Sequence, residues 1–350
     1  MTTPLDAAEP AVQAAGSGDG RPAYRGTLRY ALSKAGGALL SVAMVIIGTF
    51  FAFRLLPGDP VRALAQGRNM TPAQLDLERH RLGLDKPLIE QFFDFVGKTL
   101  RLDLGTSYEY KRPVIDLIGD RIGATLLLAG TGLAIAVIFG LWQGIRAGWR
   151  PGSRFDRFST GVSLVLWSVP TFWLGLLLLM TFAAGIGPIP GLFPTRGIES
   201  VDAPDGFAYL LDVGMHMVLP CLTLAAVVYA QYLMVMRSSL LEEVSQDYVT
   251  TARAKGLRDD DVRRRHAVPN ALLPTVTLVF MRIGFVVGGA VTVEAVFSWP
   301  GLGQLFYEAI RVPDFTLMQG TFMLIAVAVI LMNTLADVVY HVLDPRVRSA

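Results

Sequence analysis

Residues 247–274, DYVTTARAKGLRDDDVRRRHAVPNALLP, form a short charged stretch between two long apolar ones. Leu240, Leu241, Val244, Tyr248 and Ala252 recur at three- and four-residue steps, laying an apolar stripe along a helix otherwise rich in charge. Glu242, Glu243 and Asp247 come early in that helix and Arg253 and Lys255 late, which complements the helix dipole. Gly256 suits the left-handed C-cap, so the helix is expected to stop there. Asp259, Asp260 and Asp261 then open a second short helix, Arg263, Arg264 and Arg265 sit near its end, and Pro269 is expected to terminate it. This helix–turn–helix reads as a docking device.

What flanks it is a membrane protein. Of the 350 residues, 52% are hydrophobic and 17% charged, and the mean hydropathy is +0.47, a balance soluble chains rarely show. A span needs roughly 20 apolar residues at about 1.5 Å each. Six windows qualify: 32–56, 122–148, 158–184, 214–236, 275–297 and 317–341. The fold expected is all-α and polytopic. The first window is far longer than a signal-peptide core, so it is expected to be retained.

Basic residues fix the expected orientation. They gather before the first window (Arg21, Arg25, Arg29), between the second and third (Arg150, Arg154, Arg157), seven strong between the fourth and fifth, and in the tail (Arg346, Arg348). Stretches 185–213 and 298–316 instead carry Glu199, Asp202, Asp205, Asp212, Glu308 and Asp314 against Arg196 and Arg311. Both termini are therefore expected to be cytoplasmic, with 237–269 a cytoplasmic loop and 57–121 placed outside by alternation. Residues 1–24 are too polar and Gly/Pro-rich to bury a core. Segments 1–28 and 347–350 are expected to be tails, the first disordered, leaving 29–346 as the membrane domain.

Several chemistries are disfavoured. A single cysteine, Cys221, excludes an intrachain disulfide and is expected to pack as a small apolar residue. His80, His216, His266 and His341 lack metal-ligand spacing, so no metal is expected. No GKS or GKT phosphate loop occurs, so this chain is not expected to hydrolyse nucleotide itself and its energy is expected from a partner, and no nucleophile or general base stands out. Trp142, Trp149, Trp167 and Trp173 read as interface anchors or core, and Pro170 and Pro220 as kinks. Three ionisable residues inside windows call for an explanation: Arg282, Glu294 and Asp337. Arg282 and Asp337 lie at similar depth and are expected to pair, with a place on the translocation path as the alternative for both. Glu294 is open between lining a translocation path and capping the bundle.

Other motifs point to one family. Gly256, nine residues, then His266-Ala267-Val268-Pro269 resembles the coupling motif of membrane permeases in ATP-binding-cassette importers, with Thr250, Thr251 and Ala252 where that motif opens Glu-Ala-Ala. Residues 54–60 (RLLPGDP), 82–87 (LGLDKP), 103–107 (DLGTS) and 291–303 (VTVEAVFSWPGLG) resemble elements of the dipeptide/oligopeptide/nickel branch, in family order. The resemblance implies the type I importer permease fold and a B-type subunit of the bacterial inner membrane. It also implies a second homologous permease, two ATPase subunits and an external solute-binding protein as partners, with no nucleic acid. Leu240, Leu241, Val244, Asp247, Tyr248, Ala252 and Gly256 would then couple to an ATPase, the stripe entering its groove. Short peptides are the expected substrate, with nickel chelates or glutathione-like solutes as alternatives. Two rivals from other classes are an ion-coupled secondary transporter and a non-transporting structural or receptor membrane protein.

Overall fold

The computed structural model describes residues 23–55, 71–81, 83–185 and 190–343. Among these the chain is helical, and its one β-type pairing is an isolated bridge between Thr106 and Pro113. Six helical units fall on the six windows. The first, α1 (Ala23–Leu55), begins ahead of its window and inside the expected 1–28 tail. Residues 1–22, 344–350 and most of 54–60 lie outside the described residues. Two short helices follow, α2 (Pro72–Arg81) and α3 (Leu88–Leu100). The second window is α4 (Val114–Trp149), which starts behind Pro113 and ends ahead of Pro151 and the left-handed Gly152.

The third window is not one straight span. It divides into α5 (Arg154–Ser168) and α6 (Thr171–Leu178), the latter running on through a π turn to Ala183, and the two arms meet at 104°. Proline drives its preceding residue out of the helical region; Val169 is accordingly extended (φ −81°, ψ 129°) and the helix stops there. Pro170 thus does more than kink. By contrast α7 (Phe207–Val244) continues unbroken through Pro220, a loss of one backbone bond that a packed bundle tolerates.

The charged stretch also differs from expectation. Ser245 and Gln246 end α7, so the anticipated continuous helix is divided and α8 (Asp247–Ala254) starts anew. Glu242 and Glu243 close α7 rather than opening a helix. Next comes α9 (Asp259–Val262), then a π turn over Arg263–Ala267, then α10 (Val268–Phe297). Pro269 does not terminate a helix; it sits in the first turn of α10. A proline ring collides with the carbonyl four residues back, here Arg265, and a widened π turn relieves that collision while the chain stays helical. The fifth window lies in α10, whose side chains 281–289 are outside those described. Finally, α11 (Leu302–Arg311) precedes α12 (Phe315–Leu343). Among the described residues α1, α4, α7 and α12 are each long and apolar enough to cross a bilayer, and α5 with α6 passes the same test as a bent pair.

The tightest packing is α4 along α7. Gly132, Ala136, Gly140, Gly144 and Gly148 recur every four residues on α4 and present backbone to α7. A Cβ on Gly140 would stand 2.6 Å from Tyr232 Cβ and 2.9 Å from the Tyr229 carbonyl; one on Gly144 would stand 2.7 Å from Met236 Cβ. Tyr232, Leu233 and Met236 are fully buried in this seam. Lipid is as apolar as leucine, so helices gain little in a bilayer from burying leucine, and close approach through small residues supplies the attraction instead. Among the further packed pairs are α12 against α1 and α10, and α5 and α10 against α7. Cys221 is buried in the core between α4, α7 and α10, as expected of a small apolar residue.

Gly140→Val forces the seam open and is expected to cost about 1–3 kcal/mol or more. Gly130→Val, at a site with nothing within 4 Å of a new Cβ, is expected to be tolerated. The monodisperse fraction surviving a heat ramp in detergent checks both.

Candidate functional site

The charged segment is assembled from its caps upward. At the end of α8, Leu257 N–H reaches the Ala252 carbonyl (3.4 Å) and Gly256 N–H the Arg253 carbonyl (2.9 Å). With Gly256 at φ +79° this is a Schellman cap. In α9, Asp260 pairs with Arg263 and Arg264, and Asp261 with Arg265. Beneath both helices Val249, Ala252, Val262, Ala267 and Ala271 form a core with Met236 and Leu240 from α7, joined by half-buried Val244 and Trp149. The segment is therefore seated on the ends of α4, α7 and α10.

Polar pins hold it there. Trp149 Nε1 donates to Asp259 Oδ2 (2.9 Å), while Arg253 stacks 5.4 Å over the Trp149 ring. Tyr248 donates its hydroxyl to Glu243 and accepts from Asn270 Nδ2 (3.1 Å), so one side chain ties α8 to both α7 and α10. Burial and the Glu243 carboxylate push the Tyr248 hydroxyl above the ordinary tyrosine range, keeping it a donor.

This changes the use of the stripe. Leu240 and Ala252 are buried in the chain's own core, and Leu241 and Val244 are half-buried. Asp247, Tyr248 (38% exposed), Gly256 and Leu257 face outward. An apolar period in sequence does not say which partner it meets; here the chain covers most of it.

Glu294 is wholly buried. Its Oε1 accepts from Thr125 Oγ1 (2.7 Å) and its Oε2 from Gly303 N–H (2.6 Å) and Gln304 N–H (3.2 Å). Ser298 takes a left-handed conformation (φ 48°) and turns the chain, so that α11 points its N-terminus at this carboxylate, a favoured position for negative charge. Thr125 also accepts from Leu302 N–H (2.8 Å), and Trp299 Nε1 donates to the Ala124 carbonyl (2.8 Å). A Cβ on Gly301 would fall 2.3 Å from the Glu294 carboxyl carbon, so a side chain there would displace the carboxylate from its donors. The 291–303 element thus locks α4, α10 and α11 together, and Glu294 faces that lock.

Asp337 pairs with Lys34 of α1 (2.7 Å), a residue the sequence reading passed over inside an apolar window. The Arg282 side chain lies outside the described residues. Two more links went unread. Arg237 on α7 grips buried Asp156 on α5 in a two-point pair (2.6 and 2.9 Å), with Gly152 N–H donating to the same carboxylate (2.8 Å). Asp156 was visible as the lone acid among Arg150, Arg154 and Arg157. The DLGTS element docks on buried Asp314, whose Oδ2 accepts from Ser107 Oγ (2.6 Å), Tyr108 N–H (2.7 Å) and Glu109 N–H (3.1 Å). Its Oδ1 caps α12 through Leu317 N–H (3.0 Å).

Glu294→Ala strands Thr125 and two backbone donors and is expected to cost about 1–3 kcal/mol per donor; folded yield from membranes reads this. Lys34→Asp and Asp337→Lys are each expected to lower that yield by leaving an unpaired charge in a span, and the double exchange to restore it.

The sequence profile of the "Binding-protein-dependent transport system inner membrane component" family matches residues 132–349, and the profile of its N-terminal part matches 27–129. The chain is 38% identical over 322 residues to the "Glutathione transport system permease protein GsiC" of Pectobacterium atrosepticum, covering 92% of this chain and 99% of that protein. It is 37% identical over 315 residues to the "Di/tripeptide transport system permease protein DppB" of Pseudomonas aeruginosa, covering 87% and 94% respectively. Among solved structures, an inward-facing MetNI methionine ABC transporter matches with a TM-score of 0.51 at 18% identity, covering 66% of this chain and 97% of that one, which is a likeness of fold. The secondary-transporter and receptor alternatives find no counterpart in these matches. The chain belongs to the inner membrane components of binding-protein-dependent transport systems, as a non-enzymatic permease of an ATP-binding-cassette importer in the peptide and nickel branch.

Proposed function

We propose that this permease forms half of the translocation path for short peptides, with α8 and α9 on the cytoplasmic side as the contact for an ATPase subunit. The observation that carries the coupling reading is the construction of α8 and α9. They form a compact platform with its own core, pinned to α4 by Trp149, to α7 by Glu243 and to α10 by Asn270. Force applied to Asp247, Tyr248, Gly256 and Leu257 therefore has a short, rigid route into three spans. Its basic residues, together with Arg150, Arg154 and Arg157 at the same end, support a cytoplasmic position and both termini inside.

The finer assembly follows from the family. A second homologous permease would complete the path, two ATPases carrying ATP and magnesium would drive it, and a solute-binding protein would dock on the opposite face. Alternating access then consists of ATPase closure pushing the platform, with the α4–α7 pair carrying the displacement to the Glu294 lock. For substrate, the named relatives support peptides of two or three residues, and glutathione is a second reading of the same kind since the GsiC relatives are named for it. Leu240, Leu241, Val244 and Ala252 serve this reading from beneath, as the bed of the platform.

Purification of the tagged chain from its native membrane tests the coupling. Tyr248→Asp is expected to remove about 2 kcal/mol or more of interface energy, a roughly 30-fold weakening, and so to lose the ATPases while keeping the second permease. ATPases retained at wild-type level in this variant contradict the reading.

A further inference from the structure

The short helix α3 carries an apolar row that the rest of the chain does not cover. Helical spacing sets out three faces on LIEQFFDFVGKTL (88–100). Phe92 and Phe95 point at α1, with rings 5.3 and 5.6 Å from Phe50, and Phe92 stacks on Phe51 at 6.1 Å. Glu90, Asp94 and Lys98 share the polar face, where Lys86 Nζ pairs with Asp94 (2.5 Å). Between these faces lies a third, made of Ile89, Phe93 and Leu100, respectively 63%, 65% and 75% exposed. Buried Gln91 fixes the helix start by donating Nε2 to the Lys86 carbonyl (2.7 Å), so the row is held in place.

At 13 residues the helix is about 20 Å long, too short to cross a hydrocarbon layer of about 30 Å. Its uncovered row continues an exposed apolar side already present on α1: Leu39, Leu40, Met44, Ile47 and Phe51. On a membrane-spanning helix that side faces lipid. Phe93 packs 5.6 Å from Phe92, which stacks on Phe51, so one run of rings leads from the lipid-facing side of α1 onto the free row of α3.

We propose that α3 is an interfacial anchor, lying in the bilayer surface with Ile89, Phe93 and Leu100 among the acyl chains and Glu90, Asp94 and Lys98 toward water. The occupant of the row is lipid. The leaflet, the outer one, rests on the orientation proposed above; contact with lipid does not. Held at both its end and its side, α1 would be fixed in depth while the platform at the opposite end of the molecule moves.

Nitroxide labels test this in the full-length chain carrying Cys221→Ser, assembled with its partner subunits in vesicles of phosphatidylethanolamine and phosphatidylglycerol. Labels go on Ile89→Cys, Phe93→Cys and Leu100→Cys, with Glu90→Cys and Asp94→Cys as the polar set. Collision with oxygen, relative to a water-soluble nickel chelate, is expected to be several-fold higher in the first set than in the second. Equal ratios in the two sets place the row in water and overturn the proposal. Low collision with both reagents at 89, 93 and 100 means a protein covers the row, and overturns it as well.

Discussion

The glycine seam between α4 and α7 is the contact on which the other parts hang. Water is absent from the hydrocarbon, so two apolar helices gain no hydrophobic energy by meeting there. What holds them is dispersion at close range, and that needs backbone to approach backbone. Gly140, Gly144 and Gly148 permit it, since a methyl group at any of them would enter Tyr232, Met236 or the Arg237 carbonyl. One end of this paired unit supplies Met236 and Leu240 to the bed of α8 and α9. The other end supplies Thr125 to the Glu294 lock. A loosened seam would disconnect the two.

Charge inside the molecule is used to join elements. Asp156 joins α5 to α7, Glu294 joins α10 to α4 and α11, Asp314 joins the DLGTS element to α12, and Asp337 joins α12 to α1. Each carboxylate has donors in place. Of these, Asp156 with Arg237 is the ion pair with a buried carboxylate; such a pair adds little net stability, whereas removing one partner costs about 3–5 kcal/mol, so it acts as a register pin more than as glue. The break at Val169 and Pro170, by contrast, leaves α5 and α6 free of a shared helical axis. A subunit that must move needs such joints beside its rigid parts.

The spans were legible because a window average needs only composition. Which side of a span faces its neighbour was not, although Gly132, Gly140, Gly144 and Gly148 stand at steps of four or eight and mark a packing face to any reader of small-residue spacing. Lys34 is hidden for the same reason, averaged into an apolar window, so its pair with Asp337 does not show in the sequence. Pro269 read as a terminator because a proline usually is one; only the π turn before it lets the helix go on. The stripe from Leu240 to Ala252 is divided between α7 and α8, and periodicity carries no information on whether the chain or a partner covers it. Glu294 stood out as a charge in a span, and the glycines of 299–303 that admit its carboxylate were already in the quoted motif.

On the proposed mechanism α4 and α7 move as one body when the importer turns over. A disulfide between Gly132→Cys and Leu224→Cys tests it most directly, because a Cβ at Gly132 would stand 3.2 Å from Leu224 Cβ and only a small adjustment brings the pair to bonding geometry. Uptake by the assembled importer in vesicles, before and after oxidation, is the measurement. If the pair is rigid, the cross-linked importer transports at the rate of its reduced form. Loss of transport on oxidation, regained on reduction, would mean that the helices must part, and the account of coupling through this seam would be wrong.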